Sequence, residues 1–591
     1  MSSNNENLAI QRIAKLVDEN SFMEIGSLVT ARSTDFNLTA AKTPSDGVVI
    51  GHGLIDGNLV FIYSQDASVL NGTIGEMHAK KIASVYDMAM KMGAPVIGLI
   101  DCGGIRLQES VDALDGFGTI YAKEVAASGL VPQICGVFGN CGGGLSVVPA
   151  LCDFAFIEEK KGRMFVNAPD AIEGNNTEKC DTASAAFQSE NNGCVDFVGS
   201  EDEIMEQIRQ LVCMLPSNNE GDVYTDDCED DLNRACESME NMKGDPRYLL
   251  SQISDNNVFF ETKADYARNM VTGLIKLNGM TVGAVANCSE VYDAEGKKAE
   301  SFDKSLTAQG CNKAAEFVQF CDAFSIPVLT ITNVNGLKNC MCSEKKLAKA
   351  LARMTYAFSN ATCAKVNLIT GEAYGSAYVF MNSKSVGADL VYAWSGAKIG
   401  AMDSTLAAKI MYPEAGADEI KQKAADYEKL QDSATSAAAR GYVDRLIDPA
   451  DTACQLLIGI SHIMLLVSGN TVLCLISLLL RMSLCPGKAL VLRQLLIAAY
   501  PFQSLQLLTL ICQSLVMVSG IDRCKIQYQL LEISLEFRSR DTVIGRFRFL
   551  IQSYNGRLGC GRCSRFTCHC SADPFDLAVF CPVLRRLHPS K

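Results

Sequence analysis

Histidine and tryptophan are scarce here, with five of the one and a single copy of the other in 591 residues. Imidazole is the commonest general base and metal ligand, so chemistry built on it has few candidates, and no His–Asp or Ser–His constellation stands out. Basic residues are also in deficit: 53 Lys and Arg against 67 Asp and Glu leave a net charge of −14. That balance excludes nucleic acid as an expected partner, since binding phosphates needs basic surface. The first twenty residues lack a basic stretch leading into an apolar run, so no export signal is expected. The expected location is cytoplasmic, with attachment to the periphery of a membrane complex left open. The 25 cysteines are accordingly expected as reduced thiols rather than a disulfide framework. Several of them (Cys135, Cys141, Cys152) lie in apolar runs and read as small hydrophobes. No metal site is expected: Cys340 and Cys342 are too close together and too isolated to make one.

What the chain does have is length, apolar material and glycine. Two or three domains are expected from 591 residues, and 48% hydrophobic residues suffice for large cores. Residues 138–148 (FGNCGGGLSVV) read as an apolar strand, a glycine turn and an apolar helical segment, and residues 370–380 (TGEAYGSAYVF) repeat the pattern. Glycine lets bare main-chain N–H groups approach a ligand, because it has no Cβ and tolerates φ > 0. Two convergent N–H groups make an oxyanion hole, which stabilises charge developing on a carbonyl oxygen. One such turn alone reads equally well as tight strand–helix packing; the repetition favours a pair of holes.

In chain order, residues 8–17 space apolar groups as in an amphipathic helix. Residues 47–65 form two β-rich runs meeting at Asp56–Gly57, a strong hairpin signal. A helix over 76–92 and short apolar runs at 95–101, 133–139 and 154–157 follow, the runs reading as buried parallel strands. Residues 216–245 are acidic, Asn-rich and linker-like. Then the pattern returns: a hairpin at Asn278–Gly279, a helix over 314–324, and strands at 327–333 and 366–371. Pro95 pairs with Pro327, Gly139 with Gly371 and Gly143 with Gly375, all at one offset, so internal duplication is the economical reading. Strands alternating with helices predict α/β architecture with parallel sheets, in two tandem β/α domains.

On these segments the sequence resembles the carboxyltransferase subunits of biotin-dependent acyl-CoA carboxylases and decarboxylases, within the crotonase-like superfamily. The likeness runs along GVVIGHGLIDG (47–57), GEMHAKKI (75–82), GAPVIGLIDCGGIRLQE (93–109) and FGNCGGG (138–144). In the second half it runs along VTGLIKLNG (271–279), KAAEFVQFCDAFSIPVLT (313–330), EAYGSAYVFM (372–381) and GADLVYAW (387–394).

The resemblance implies two crotonase-like β/α superhelix domains, 1–235 on the acyl-CoA side and 245–453 on the biotin side. It implies transfer of a carboxyl group between carboxybiotin on a separate carrier protein and the α-carbon of a short-chain coenzyme A thioester. The amides of Gly143 and Gly144 would hold the thioester oxygen as an enolate. Those of Ser376 and Ala377 would hold the ureido oxygen of biotin, with Gly375 shaping the turn. Gly103, Gly104, Arg106 and Gly142 are the remaining candidate substrate-binding residues; Arg106 would either clamp an anion or pair with neighbouring acids.

The implied partners are a biotin carboxyl carrier protein and either a biotin carboxylase or a sodium-pumping membrane decarboxylase subunit. The implied assembly is a dimer or hexamer, with the site between the N-domain of one subunit and the C-domain of another. A small acyl group is expected, propionyl/methylmalonyl or glutaconyl. A crotonase-like hydratase or isomerase and a non-catalytic assembly subunit are the alternatives. Ser376 stands where the family has glycine, so its amide survives as a donor only if its backbone avoids glycine-only φ/ψ. His78 reads as a satisfied histidine and Lys80 and Lys81 as a solvated helix face, with contact to CoA phosphates as the other reading of the lysines.

From Cys454 the composition changes: 15 Lys and Arg against 6 Asp and Glu, where the first 453 residues have 38 against 61. Residues 454–591 are expected to be a non-homologous tail, translated in a shifted frame or disordered. Two windows, 456–480 and 489–520, are long enough to span a bilayer. The Cys560, Cys563, Cys568, His569, Cys570 cluster offers zinc ligands. Both remain alternatives for the tail.

Overall fold

Two short turns set the register of each half. In the computed structural model, Asp56 (φ 47°) and Gly57 (φ 82°) both adopt positive φ, and so do Asn278 (56°) and Gly279 (74°). Two consecutive positive-φ residues are the requirement of a two-residue hairpin whose twist matches its strands. The pairs Ile55–Asn58 and Leu277–Met280 close the two ladders directly. The structure describes residues 7–32, 43–225, 228, 230–231, 233–236, 239–242, 244–292 and 296–467.

Helix α1 (Leu8–Leu16) precedes strands β1 (Met23–Ile25), β2 (Val48–Ile55) and β3 (Asn58–Gln65). Helix α2 (Glu76–Met92) leads to β4 (Val96–Cys102), and α3 (Ser110–Ala127) to β5 (Gln133–Gly142). Then come α4 (Val147–Leu151), β6 (Phe154–Glu158), β7 (Arg163–Phe165), α5 (Ala185–Phe187), β8 (Phe197–Gly199) and α6 (Glu201–Met214). The sheet order is β1-β2-β3-β4-β5-β6-β8, with β7 added to the end of β5; every pairing from β3 onward is parallel. Strands β3 to β6 are almost wholly buried, which is why they read as continuous apolar runs.

The second half opens with α7 (Pro246–Ile253), β9 (Phe259–Thr262), β10 (Met270–Leu277) and β11 (Met280–Asn287). A small antiparallel pair, β12 (Glu290–Tyr292) and β13 (Lys298–Ser301), precedes β14 (Ser305–Leu306), α8 (Ala308–Ala323), β15 (Val328–Val334) and β16 (Gly336–Leu337). After α9 (Met341–Asn360) come β17 (Lys365–Tyr374), α10 (Gly375–Phe380), β18 (Leu390–Trp394) and β19 (Lys398–Gly400). Helices α11 (Ser404–Met411), α12 (Ala417–Tyr427) and α13 (Ala434–Ala439), strand β20 (Arg445–Ile447) and α14 (Thr452–Val467) complete it. Its sheet order, β9-β10-β11-β15-β17-β18-β20 with β19 on β17, repeats the first strand for strand. The duplication therefore extends to topology.

The two halves share one apolar core. The Phe154 and Phe320 rings meet edge-on at 4.8 Å, and Thr281 donates to the Met214 carbonyl at 2.6 Å. Helix α14 carries that core past Cys454: Leu456, Ile460 and Ile463, one face of a helix, are buried. The boundary read at Cys454 thus falls inside a docked helix, because the change of composition comes near the start of α14. The remainder of the proposed tail, with its apolar windows beyond 467 and the Cys560–Cys570 cluster, lies outside the described residues.

Candidate functional site

The glycine turns sit where the fifth and seventeenth strands end. Each of these strands carries a bulge just before its turn. Between the pairs Ile100–Val137 and Cys102–Cys141, β5 holds two more residues than β4; between Thr332–Ile369 and Val334–Ala373, β17 holds two more than β15. A side chain from the neighbouring strand fills each bulge. A Cβ on Gly139 would lie 2.0 Å from Asp101 Oδ1, and one on Gly371 would lie 2.5 Å from Asn333 Oδ1. Glycine at 139 and 371 is therefore a packing requirement, set by a strand-end Asp and Asn at the same offset.

Past the bulge the two backbones take the same path. Gly142 (φ −112°, ψ 157°) and Tyr374 (φ −112°, ψ 139°) cap the following helical turns. Gly143 (φ 64°) and Gly375 (φ 61°) then flip into the left-handed region, which a residue with a Cβ enters only at a cost. A Cβ on Gly143 would meet nothing within 4 Å, so the turn faces open space. The amides that follow begin a helical turn and have no carbonyl of that turn to bond.

Two hydroxyls orient the first turn. Ser146 Oγ donates to the Gly143 carbonyl at 2.8 Å, which fixes the peptide plane carrying the Gly144 N–H. Tyr121 donates to the Gly144 carbonyl at 2.6 Å, fixing the next plane. Preorganised donors of this kind need no rearrangement when charge develops before them. In the second turn, Ser376 is exposed and Ala377 buried. Ser376 is absent from the positive-φ residues and lies within the regular turn of α10, so serine there retains an ordinary backbone and its N–H. Asn333 Oδ1 accepts from the Glu372 N–H at 3.0 Å, and Asn287 Oδ1 from the Asn333 N–H at 2.7 Å.

Gly103 and Gly104 follow β4, at the same sheet edge as Gly143, the edge where parallel sheets place ligands. Gly103 N–H is tied to the Asn71 carbonyl at 2.8 Å, and Gly104 (φ 100°) would also project its Cβ into open space. Gly142 is a packing glycine, with the Phe165 ring 2.7 Å from its would-be Cβ.

Arg106 takes the acid-paired alternative. Its guanidinium is sealed inside, at 2.6 Å from Asp46 and 2.8 Å from Glu109, and it donates to the Thr73 carbonyl at 2.7 Å. It braces the loop rather than facing a ligand. Burial, then the adjacent Arg106 charge, drives His78 down to about 3, so its imidazole is neutral. Its Nδ1 bonds the Asp46 carbonyl, an acceptor only, and must carry the proton; Nε2 then accepts from Gln65. Lys80 is exposed and pairs with Glu76. Lys81 departs from the solvated-face reading: it is buried, bonded to Ser45 and to the Val48 carbonyl, and burial lowers it to about 8.

The halves differ in what lies beside the turn. Antiparallel bridges at Arg163–Ser184 and Lys398–Ser433 make Ala183 and Asp432 counterparts, as the strand pairings do for Phe165 and Gly400. The first turn is flanked by Phe165. By the second, the Asp432 carboxylate fills the space that Gly400 leaves, 2.0 Å from its would-be Cβ. Among the described residues neither Asp432 oxygen has a partner. Burial, with Glu428 and Asp403 nearby, raises it to about 6. Tyr121, Ser146 and Asp432 were invisible to motif reading; Asp101 and Asn333 could have been found from the offset that matches the glycines. Among the described residues no three His, Cys, Asp or Glu gather as a metal site, and no helix is long and apolar enough to cross a membrane.

A duplicated parallel α/β scaffold carries a left-handed glycine turn at the same strand end of each half. The chain belongs to the carboxyl transferase family: the carboxyl transferase domain matches residues 2–464. It is 38% identical over 459 residues to a methylmalonyl-CoA decarboxylase subunit alpha from Propionigenium modestum, covering 75% of this chain and 87% of that protein. It is also 38% identical over 458 residues to a propionyl-CoA carboxylase beta chain from Roseobacter denitrificans, covering 75% and 88%. A solved transcarboxylase 12S structure, described as a hexamer with hydrolysed methylmalonyl-coenzyme A bound, superposes with a TM-score of 0.72 at 33% identity, covering 78% of this chain and 89% of that one.

Proposed function

We propose that this enzyme moves a carboxyl group between carboxybiotin, presented by a separate carrier protein, and the α-carbon of a short-chain acyl-CoA of propionyl/methylmalonyl size. One observation carries the reading: the same backbone turn, glycine in the left-handed region opening a helical turn, occurs at matched strand ends of a duplicated scaffold. Two turns suit a reaction that builds negative charge on two oxygens, the thioester carbonyl and the ureido carbonyl.

In this reading the first half, to residue 235, serves the acyl-CoA, and the second, 245–453 extended by α14, serves biotin. Gly143 and Gly144 donate to the thioester oxygen, with Gly103 and Gly104 lining the same sheet edge. Ser376 and Ala377 donate to the ureido oxygen, and Gly375 sets their direction. Biotin, when bound, supplies the carboxyl group and a nitrogen able to exchange the α-proton. The residues named above orient the two partners and stabilise developing charge. The site is completed between two copies of the chain, in a dimer or hexamer that works with a biotin carboxylase or a membrane decarboxylase subunit.

The test is exchange: purified protein is incubated with free biotin and a panel of malonyl-, methylmalonyl- and glutaconyl-CoA. Biotin-dependent loss of the carboxyl group from one of them is expected. Turnover of an acyl-CoA without biotin would replace this proposal with hydratase or isomerase chemistry.

A further inference from the structure

Residues 338–343, running from the end of β16 into the first turn of α9, take no part in the proposed transfer, yet they hold two thiols in contact. Cys340 Sγ and Cys342 Sγ are 3.0 Å apart. Cys342 is exposed and Cys340 half-buried, whereas most other described cysteines lie deeper. Cys340 also caps the twenty-residue helix α9: the Ser343 N–H donates to its sulfur at 3.4 Å. Three features therefore coincide: reach between the sulfurs, access from solvent, and stabilisation of a thiolate by the neighbouring thiol and the helix N–H. The last two hydrogen bonds hold the Cys340 thiol below its ordinary value, with the bond from Cys342 first.

We propose that Cys340 and Cys342 are a reversible dithiol–disulfide site at the head of α9, oxidised by exchange with a low-molecular-weight disulfide. The Cys340 thiolate attacks one sulfur of the small disulfide, forming a mixed disulfide and releasing one small thiolate. Cys342 gives up its proton, attacks the Cys340 sulfur and expels the second small thiolate. Two protein thiols are oxidised and one small disulfide is reduced to two thiols, by the usual exchange chemistry. The sulfurs close from 3.0 Å to a bond of about 2.05 Å. The Ser343 N–H then loses its thiolate acceptor. Both β16 and α9 pack on α10, which places this chemistry one element away from the second turn. The proposal stands independently of the carboxyl-transfer assignment.

The test uses the full chain, reduced and then exposed to hydroxyethyl disulfide. Free thiols are blocked with iodoacetamide, and the tryptic peptide beginning at Asn339 is weighed. Oxidised protein should yield that peptide lighter by two hydrogens and unlabelled, and dithiothreitol treatment should restore two labelling sites. In Cys342→Ser the same peptide should instead keep Cys340 as a mixed disulfide with mercaptoethanol. Recovery of the wild-type peptide with two labels, or with two separate adducts, after oxidation would overturn the proposal.

Discussion

A main-chain amide is indifferent to the side chain beside it, and Ser376 shows the consequence. Because its backbone is that of an ordinary helical turn, Ser376→Ala is expected to keep carboxyl transfer close to the wild-type rate; steady-state kinetics checks this. The first turn depends instead on its hydroxyl braces. Tyr121→Phe removes the bond to the Gly144 carbonyl, a contact of the kind that contributes about 0.5–1.5 kcal/mol. A roughly twofold to tenfold fall in kcat with little change in KM is expected. Residues of this sort were hardest to read from sequence. The glycines announced themselves by repetition, while Tyr121 and Ser146 act through single hydroxyl bonds that no spacing rule marks. Arg106 stayed open between its two readings for a related reason: an arginine after a glycine pair at a strand end has the same sequence context whether it faces a ligand or, as here, two buried acids.

Among elements, strands and hairpins were legible because their signals are local. Helix α2 spans the predicted residues, and both two-residue turns close where Asp-Gly and Asn-Gly predicted. Helix α8 begins six residues before the expected start, at a Thr307 cap whose side chain accepts from Gly310 N–H. Helices α3, α6 and α9 went unread, although α6 has a capping box and both α6 and α9 bury apolar residues at helical spacing. The bulges were likewise hidden, because they depend on pairing between strands.

The buried Asp432 makes stability depend on pH. Folded, it holds its proton to about pH 6; unfolded, it releases it near the usual value of about 3.9. A group that binds protons more tightly when folded supports the fold at low pH, and that support fades as pH rises. Relative to the wild type, Asp432→Ala should gain stability between about pH 4 and 6 and hold a constant advantage above. Urea unfolding across that range measures it; an advantage that shrinks as pH rises would contradict the assignment.

For the whole molecule, the duplication was visible as an offset and the structure extends it to the order of every strand in both sheets. What composition concealed was that the core continues past Cys454: the family match runs to residue 464, and α14 buries Leu456, Ile460 and Ile463. Burying each such side chain stabilises by about 1.5–3 kcal/mol as an upper estimate. A chain cut after residue 453 should therefore melt well below one cut after 467, by calorimetry. Equal Tm values would show that α14 contributes nothing to the core.

The central claim is that main-chain amides in paired turns perform the transfer. Proline is tolerated in the first turn of a helix and lacks an N–H, so Ser376→Pro deletes one donor, while also restricting the backbone of Gly375 before it. The most direct measurement is biotin-dependent decarboxylation of methylmalonyl-CoA by Ser376→Pro beside Ser376→Ala. Loss of one oxyanion donor should lower kcat by about 10²–10³ in the proline variant alone, with acyl-CoA affinity unchanged. Equal rates in the two variants would contradict the account.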